Sequence, residues 1–218
     1  MGPMPRIWDD TVAGHKDKLR RSVVDAAVAL VAERGRTDVS MSAIAERAGI
    51  GRATLYNYFP DVDHILAAYV VGQFDQQHAA LDQRLADLDD PLVRLRASLE
   101  LVVTYFASAA HRTASPIGLD TFGPETQALV DVATRGFRDR LAVMIRDAID
   151  AGLLRDDLDP EFAADALNHL LAAARMMAID GTRTPHEVVD LVYGLFVGGA
   201  GTAKGRRRRP RPAAVTAD

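Results

Sequence analysis

Four capped prolines divide this chain into helices: Asp90-Pro91, Gly123-Pro124, Asp159-Pro160 and Thr184-Pro185. In each pair a residue suited to a helix N-cap precedes a proline, whose fixed φ and missing N–H fit the first turn of a helix and no later turn. They open four helices, and Gly152 and Gly181 sit where two of those end. Upstream, Leu19, Val23, Ala27, Leu30 and Val31 mark a first helix from about Lys16 to Arg34, stopped by Gly35. Leu66, Val70, Phe74, Leu81, Leu85 and Leu88 trace one face of a long helix starting near Val62. No segment alternates with the period of a strand. The expected fold is therefore all-α, with about nine helices, and the 48% hydrophobic content of its 218 residues is ample for a packed core.

The functional signal lies in residues 40–60, SMSAIAERAGIGRATLYNYFP. Ser40 suits an N-cap, Met41, Ile44, Ala45 and Ala48 recur at helical spacing, and Gly49 stands where a left-handed residue closes the helix. After the Ile50-Gly51 turn, Leu55 and Phe59 lie one turn apart and face inward, and Pro60 stops the second helix. Arg52, Ala53, Thr54, Tyr56, Asn57 and Tyr58 are left outside. That set suits the reading of DNA: an arginine for guanine edges, an asparagine for adenine, Thr and Ala for thymine methyls, and tyrosine hydroxyls for phosphates. Spacing alone also allows a helical hairpin whose tyrosines pad a core and whose Arg52 is a solvated charge.

The run IAERAGIGRATLYNYFPDVDHIL resembles the DNA-binding segment of TetR-family transcriptional regulators: the turn glycine, the Thr-Leu-Tyr triplet and the Tyr-Phe-Pro exit occur together in register. Close similarity covers about residues 16–70, and beyond them only the architecture matches. The resemblance implies a three-helix helix-turn-helix domain followed by a larger helical domain that binds a small effector and forms a homodimer. It divides the chain into a flexible arm (1–15), the DNA-binding domain (16–61), an effector-binding and dimerisation domain (62–203) and a basic disordered tail (204–218). By position it makes Arg52, Ala53, Thr54 and Asn57 base-facing and Tyr56 and Tyr58 phosphate contacts, with Ser40 and Ser42 touching the backbone from the supporting helix. One departure stands out: the family usually carries a lysine where this chain has Val62 between Asp61 and Asp63. Asp61 reads as the cap of the next helix, and the missing charge could come from Arg6, Lys16, Lys18, Arg20 and Arg21.

In the body, Leu167, Leu170, Leu171 and Ala174 share one face of the helix near 160–180, and Val188, Leu191, Val192, Leu195 and Phe196 share one face of the helix near 185–200. Their spacing fits intrachain core and association surface equally, and Gly194 and Gly198 would admit a close helix. The resemblance favours a four-helix dimer interface, which implies a near-palindromic operator. Phe74, His78, Tyr105, Phe106, His111, Phe122, Phe137 and Met144 are enough to line an apolar effector pocket, though each also suits a core. The segment from His111 to Gly123, rich in small residues and breakers, reads as a gate or a plain loop.

Charge is divided along the chain. Residues 1–60 carry nine Lys/Arg against seven Asp/Glu, residues 61–203 carry 11 against 22, and residues 204–218 six against one. The acidic middle would orient the basic end toward DNA. The tail GRRRRPRPAAVTAD reads as a solvated end or as a sequence-independent attraction to DNA. The absence of cysteine excludes disulfides and thiolate chemistry, no metal-ligand spacing occurs, and neither a nucleophile elbow nor a P-loop is present. No cofactor is implied. With no signal peptide and no run long enough to span a membrane, a cytoplasmic protein is expected. The favoured function is a repressor released from DNA by a small lipophilic effector. The alternatives are an architectural DNA-binding protein without effector, or a helical enzyme without a recognisable motif.

Overall fold

The computed structural model describes residues 7–109, 111, 117–118 and 122–207, and the fold class is all-α, as expected. Nine α-helices are present among them: α1 Ile7–Arg34, α2 Met41–Ala48, α3 Arg52–Tyr56, α4 Val62–Leu85, α5 Pro91–Phe106, α6 Pro124–Asp150, α7 Pro160–Ile179, α8 Pro185–Ala200 and α9 Ala203–Arg207. A short 3-10 turn at Arg36–Asp38 follows α1. All four capped prolines open a helix. The Asp90 carboxylate accepts from Leu92 N at 2.9 Å, and that of Asp159 from Phe162 N at 2.7 Å. Thr184 and Glu187 form a reciprocal capping box, which satisfies two otherwise orphaned donors at the start of α8.

The helices form two compact units, one of Met1–Gln73 with Thr113–Val130 and the other of Phe74–Arg112 with Asp131–Asp218. The expected domain boundary at 61/62 is thereby moved. Ile65, Leu66, Ala67 and Val70 of α4 are buried within the first unit, so the start of that helix belongs with α1, α2 and α3. Helices α4 and α6 each contribute residues to both units. The arm also differs from expectation, because α1 begins at Ile7 rather than near Lys16. Gly14 is the one breaker in that stretch, and a single interior glycine costs a helix only about 1 kcal/mol.

In the second unit α5, α7 and α8 pack on one another around a core that includes Leu95, Leu99, Leu141, Ile145, Leu167, Leu171, Val188, Val192 and Tyr193. Arg96 crosses this core with 8% of its surface exposed. Its guanidinium meets Glu100 at 3.1 Å and Asp190 at 2.8 Å and lies over the Tyr193 ring, so the buried cation ties α5 to α8.

The tail expected to be disordered from residue 204 begins as α9. Thr202 N donates to Leu153 O at 2.9 Å, the Thr202 hydroxyl to Gly152 O at 2.8 Å, and Lys204 Nζ to Ala151 O at 2.8 Å. Residues 208–218, the rest of that expected tail, lie outside the described residues. Gly205 is buried against the Leu153 carbonyl, and a Cβ there would fall inside its van der Waals radius. The Gly205→Ala variant should therefore lose roughly 1–3 kcal/mol of docking energy. Hydrogen exchange at the Thr202 and Gly205 amides, faster than in the parent, is the measurement that checks it.

Candidate nucleic-acid interface

Helix α2 is built as its sequence dictates. Ser40 Oγ accepts from Ala43 N at 3.3 Å, Met41, Ile44 and Ala45 are buried, and Gly49 closes the helix at φ 67°. A left-handed residue there costs glycine little and any side chain more. The chain turns through Ile50 and Gly51 into α3, which is five residues long. Leu55 and Phe59 are buried beneath it, and Tyr58 N and Phe59 N both return to Leu55 O, at 2.9 and 3.1 Å.

The opposite side is open. Of the α3 residues expected to meet DNA, Arg52, Ala53, Thr54, Tyr56 and Asn57 are exposed and Tyr58 is half-buried. Ser42 is also exposed, while Ser40 is exposed with its oxygen engaged as the cap. Among the described residues no carboxylate pairs with Arg52, whereas nearby Arg47 is held by Glu33 through two contacts of 2.6 Å. That pair keeps the Glu33 carboxyl below its ordinary range, chiefly through the hydrogen bond from Arg47. Lys16, Lys18, Arg20 and Arg21 are exposed on α1, and Arg20 lies over the Phe59 ring at 4.9 Å, whereas Arg6 lies outside the described residues. A positive, unshielded guanidinium on a surface of hydroxyl and amide groups is suited to base edges and phosphates.

The two acidic residues around Val62 have separate tasks. Asp61 accepts from the backbone and ring nitrogens of His64 at 2.9 and 2.8 Å. Burial would raise its pKa, and the His64 hydrogen bonds outweigh that and lower it. Asp63 faces the other way, where Arg36 Nη2 meets it at 2.9 Å and Gly123 N donates to its second oxygen at 3.3 Å. Arg36 also donates to Ile117 O at 2.7 Å and covers the Phe122 ring at 4.4 Å. One guanidinium thus clamps the turn after α1, the start of α4 and the approach to α6 within a single unit. Nothing in the sequence announces this clamp, because its partners are 27 and 81 residues from Arg36.

The residues expected to line an effector pocket are divided between the two units. Phe122 lies in the first unit, beneath Arg36. Phe137 and Met144 are buried in the packed core of the second unit. Phe74 and His78 neighbour each other at 6.4 Å, and the missing side chain of Gly136 leaves room for the His78 ring. Burial, and then the charge of Arg140, lower the pKa of His78. Tyr105 and Phe106 gather around His111, with ring centroids 5.4 and 5.2 Å from it. Much of the expected gate, residues 112–116 and 119–121, lies outside the described residues.

The nine residues expected at an association surface divide as well. Leu167, Leu171, Ala174, Val188 and Val192 are buried among the chain's own helices and have no surface to offer, because α7 and α8 turn these faces toward α5 and each other. Leu170 and Phe196 are half-buried against the core. Leu191 and Leu195 remain 45% and 57% exposed, and Phe162 and Met176, which sequence reasoning did not select, are 74% and 53% exposed.

Residues 23–69 match the family model for bacterial regulatory proteins of the tetR family. The chain is 35% identical over 68 residues to the HTH-type transcriptional repressor KstR of Rhodococcus jostii, which covers 31% of this chain and about a third, 32%, of that protein. It is 28% identical over 184 residues to an uncharacterised HTH-type transcriptional regulator of Mycobacterium bovis, covering 83% of this chain and 81% of the relative. Among solved structures it resembles RolR in complex with resorcinol, with TM-score 0.62, 26% identity and coverage of 92% and 98%. It also shares the fold of FadR from Bacillus subtilis, solved with stearoyl-CoA, with TM-score 0.72, 19% identity and coverage of 82% and 98%. These relatives are regulators, not enzymes, and no described helix is long and apolar enough to cross a membrane.

Removing the acceptor of the clamp tests its weight in the first unit. The Arg36–Asp63 pair is partly shielded from solvent, so Asp63→Asn should cost about 1–2 kcal/mol. A melting temperature lowered by several degrees at unchanged helicity is the expected reading, and Asp61→Asn, at a more exposed capping site, should cost less.

Proposed function

We propose that the chain is a member of the TetR family of bacterial transcriptional regulators, whose model residues 23–69 match, and that it is a sequence-specific repressor, released from a near-palindromic operator by a small effector. The observation that carries this reading is the exposed surface of α3, where Arg52 has no carboxylate partner among the described residues while its neighbour Arg47 has one. In this reading Arg52, Ala53, Thr54 and Asn57 face bases, and Tyr56, Tyr58, Ser40 and Ser42 hold the DNA backbone. The protein acts in the cytoplasm, where the DNA is.

Two-fold pairing supplies the second half-site. Leu191 and Leu195, with Phe162 and Met176, are among the exposed apolar residues of α7 and α8 and are the ones proposed to meet a second copy. Two copies would offer two recognition helices to successive major grooves, about one helical turn apart. Release follows if an effector bound in the second unit favours a dimer whose heads no longer fit that spacing. Helices α4 and α6 contribute to both units, so each is a covalent route for such a change. RolR, solved with resorcinol, supports the reading that a small molecule is the signal. A hundredfold loss of DNA affinity requires about 2.7 kcal/mol of coupling.

Base readout is tested by gel shift. Arg52→Ala and Asn57→Ala should each cost about 1–3 kcal/mol on the operator and little on random DNA, while Tyr56→Phe should weaken both alike. Operator binding equal to the parent's in folded Arg52→Ala and Asn57→Ala would sink the assignment. Pairing is tested by light scattering. The parent should be dimeric at micromolar concentration, and Leu195→Arg should split it by placing an unpaired charge at the contact. A monomeric parent overturns the pairing, and a dimer that no small molecule detaches from DNA favours an architectural role.

A further inference from the structure

Residues 61–203 are acidic, and most of the described arginines among them are paired. Arg94, Arg96, Arg138, Arg140, Arg146, Arg155 and Arg183 each meet a carboxylate within 4.0 Å. Arg84 and Arg135 meet none and are exposed, where water balances the charge. Arg175 of α7 is different, since it is partly buried and no described carboxylate pairs with it. Its guanidinium instead lies over the Phe106 ring, 5.6 Å from the centroid. Around that ring stand Tyr105 at 6.2 Å and His111 at 5.2 Å. Burial, and then the charge of Arg175, hold His111 below its ordinary pKa, which favours the neutral imidazole with its one donor and one acceptor.

A half-buried cation without a counter-ion is costly in a folded protein, and the cost falls when an anion arrives. A planar guanidinium placed over a ring by a cation–π contact keeps its N–H groups for a carboxylate. We propose that Arg175 is the anchor for an organic carboxylate, whose acyl or aryl body lies against Phe106 and Tyr105 and whose head is completed by a hydrogen bond to His111. The inference rests on the effector reading above and names the chemical class of that effector. The net charge of residues 61–203, 11 Lys/Arg against 22 Asp/Glu, makes a local unpaired cation the more necessary for drawing an anion in.

The test is isothermal titration of the full chain with octanoate and with benzoate, each beside a neutral counterpart of the same body, 1-octanol and benzyl alcohol. At least one carboxylate should bind with Kd below about 1 mM and roughly tenfold or more tighter than its alcohol, the scale of a charge-assisted bond. The stronger of the two probes tells an acyl body from an aryl one. Arg175→Met, which keeps the apolar volume over Phe106, should abolish that preference and leave alcohol binding unchanged. Arg175→Lys should fall between, because it keeps the charge and loses the planar fork. The proposal is overturned if neither carboxylate binds, if the alcohols bind equally well, or if Arg175→Met binds the carboxylate like the parent. If Arg175→Met does not fold, parent-like affinity in Arg175→Lys overturns the guanidinium anchor. Gel shifts separate this proposal from the reading it rests on. Carboxylate binding through Arg175 that leaves operator affinity unchanged supports the anchor and overturns effector release, whereas release by a compound indifferent to Arg175 does the reverse.

Discussion

The burial of Leu55 and Phe59 holds the rest of the DNA-binding head in order. Helix α3 has five residues, far fewer than the roughly 12–15 at which an isolated helix becomes even marginal in water. It exists because its underside is fixed: Leu55 is fully buried, the amides of Tyr58 and Phe59 close back on its carbonyl, and Gly49 sets the angle of entry. The exposed surface from Arg52 to Asn57 inherits its geometry from that underside. A change that loosened Leu55 would disturb the outer side chains without touching them.

The arginines divide by what they meet. Arg36, Arg47 and Arg96 are consumed by structure, clamping a turn, pinning α2 to α1 and stitching α5 to α8. Each has its carboxylate, and removal of either partner would strand a charge. Arg52 and Arg175 have none among the described residues, and the difference lies in their surroundings. Arg52 stands in the open among hydroxyl and amide groups, as a polyanion's edge requires, while Arg175 is partly buried over the Phe106 ring, the setting proposed above for a small anion with an apolar body. The same side chain thus marks two kinds of candidate contact, distinguished by burial alone.

Much of the fold was legible in the order of the residues. The capped prolines, Gly49 and the inward pair Leu55 and Phe59 gave helix starts, the turn and the outward surface of α3, and the structure follows them closely. Less was legible where two partners competed for one apolar stripe. Leu167, Leu171, Val188 and Val192 have the spacing of an association surface and are spent on the chain's own core, leaving Leu191 and Leu195 outside. Phe122 has the character of a pocket wall and lies under Arg36. The first residues of the basic tail look solvated and form a docked helix, because Gly205 fits the Leu153 carbonyl.

Capping, helix periodicity and left-handed turns act over about four residues, so the sequence by itself determined the all-α class, most helix boundaries and the exposed residues of α3. The Arg36 clamp, the division of α4 and α6 between two units, and the placement of Arg175 over Phe106 were decided only by tertiary structure. Each depends on which side chain lies opposite another across tens of residues, and hydrophobic burial, being non-directional, names no partner in advance.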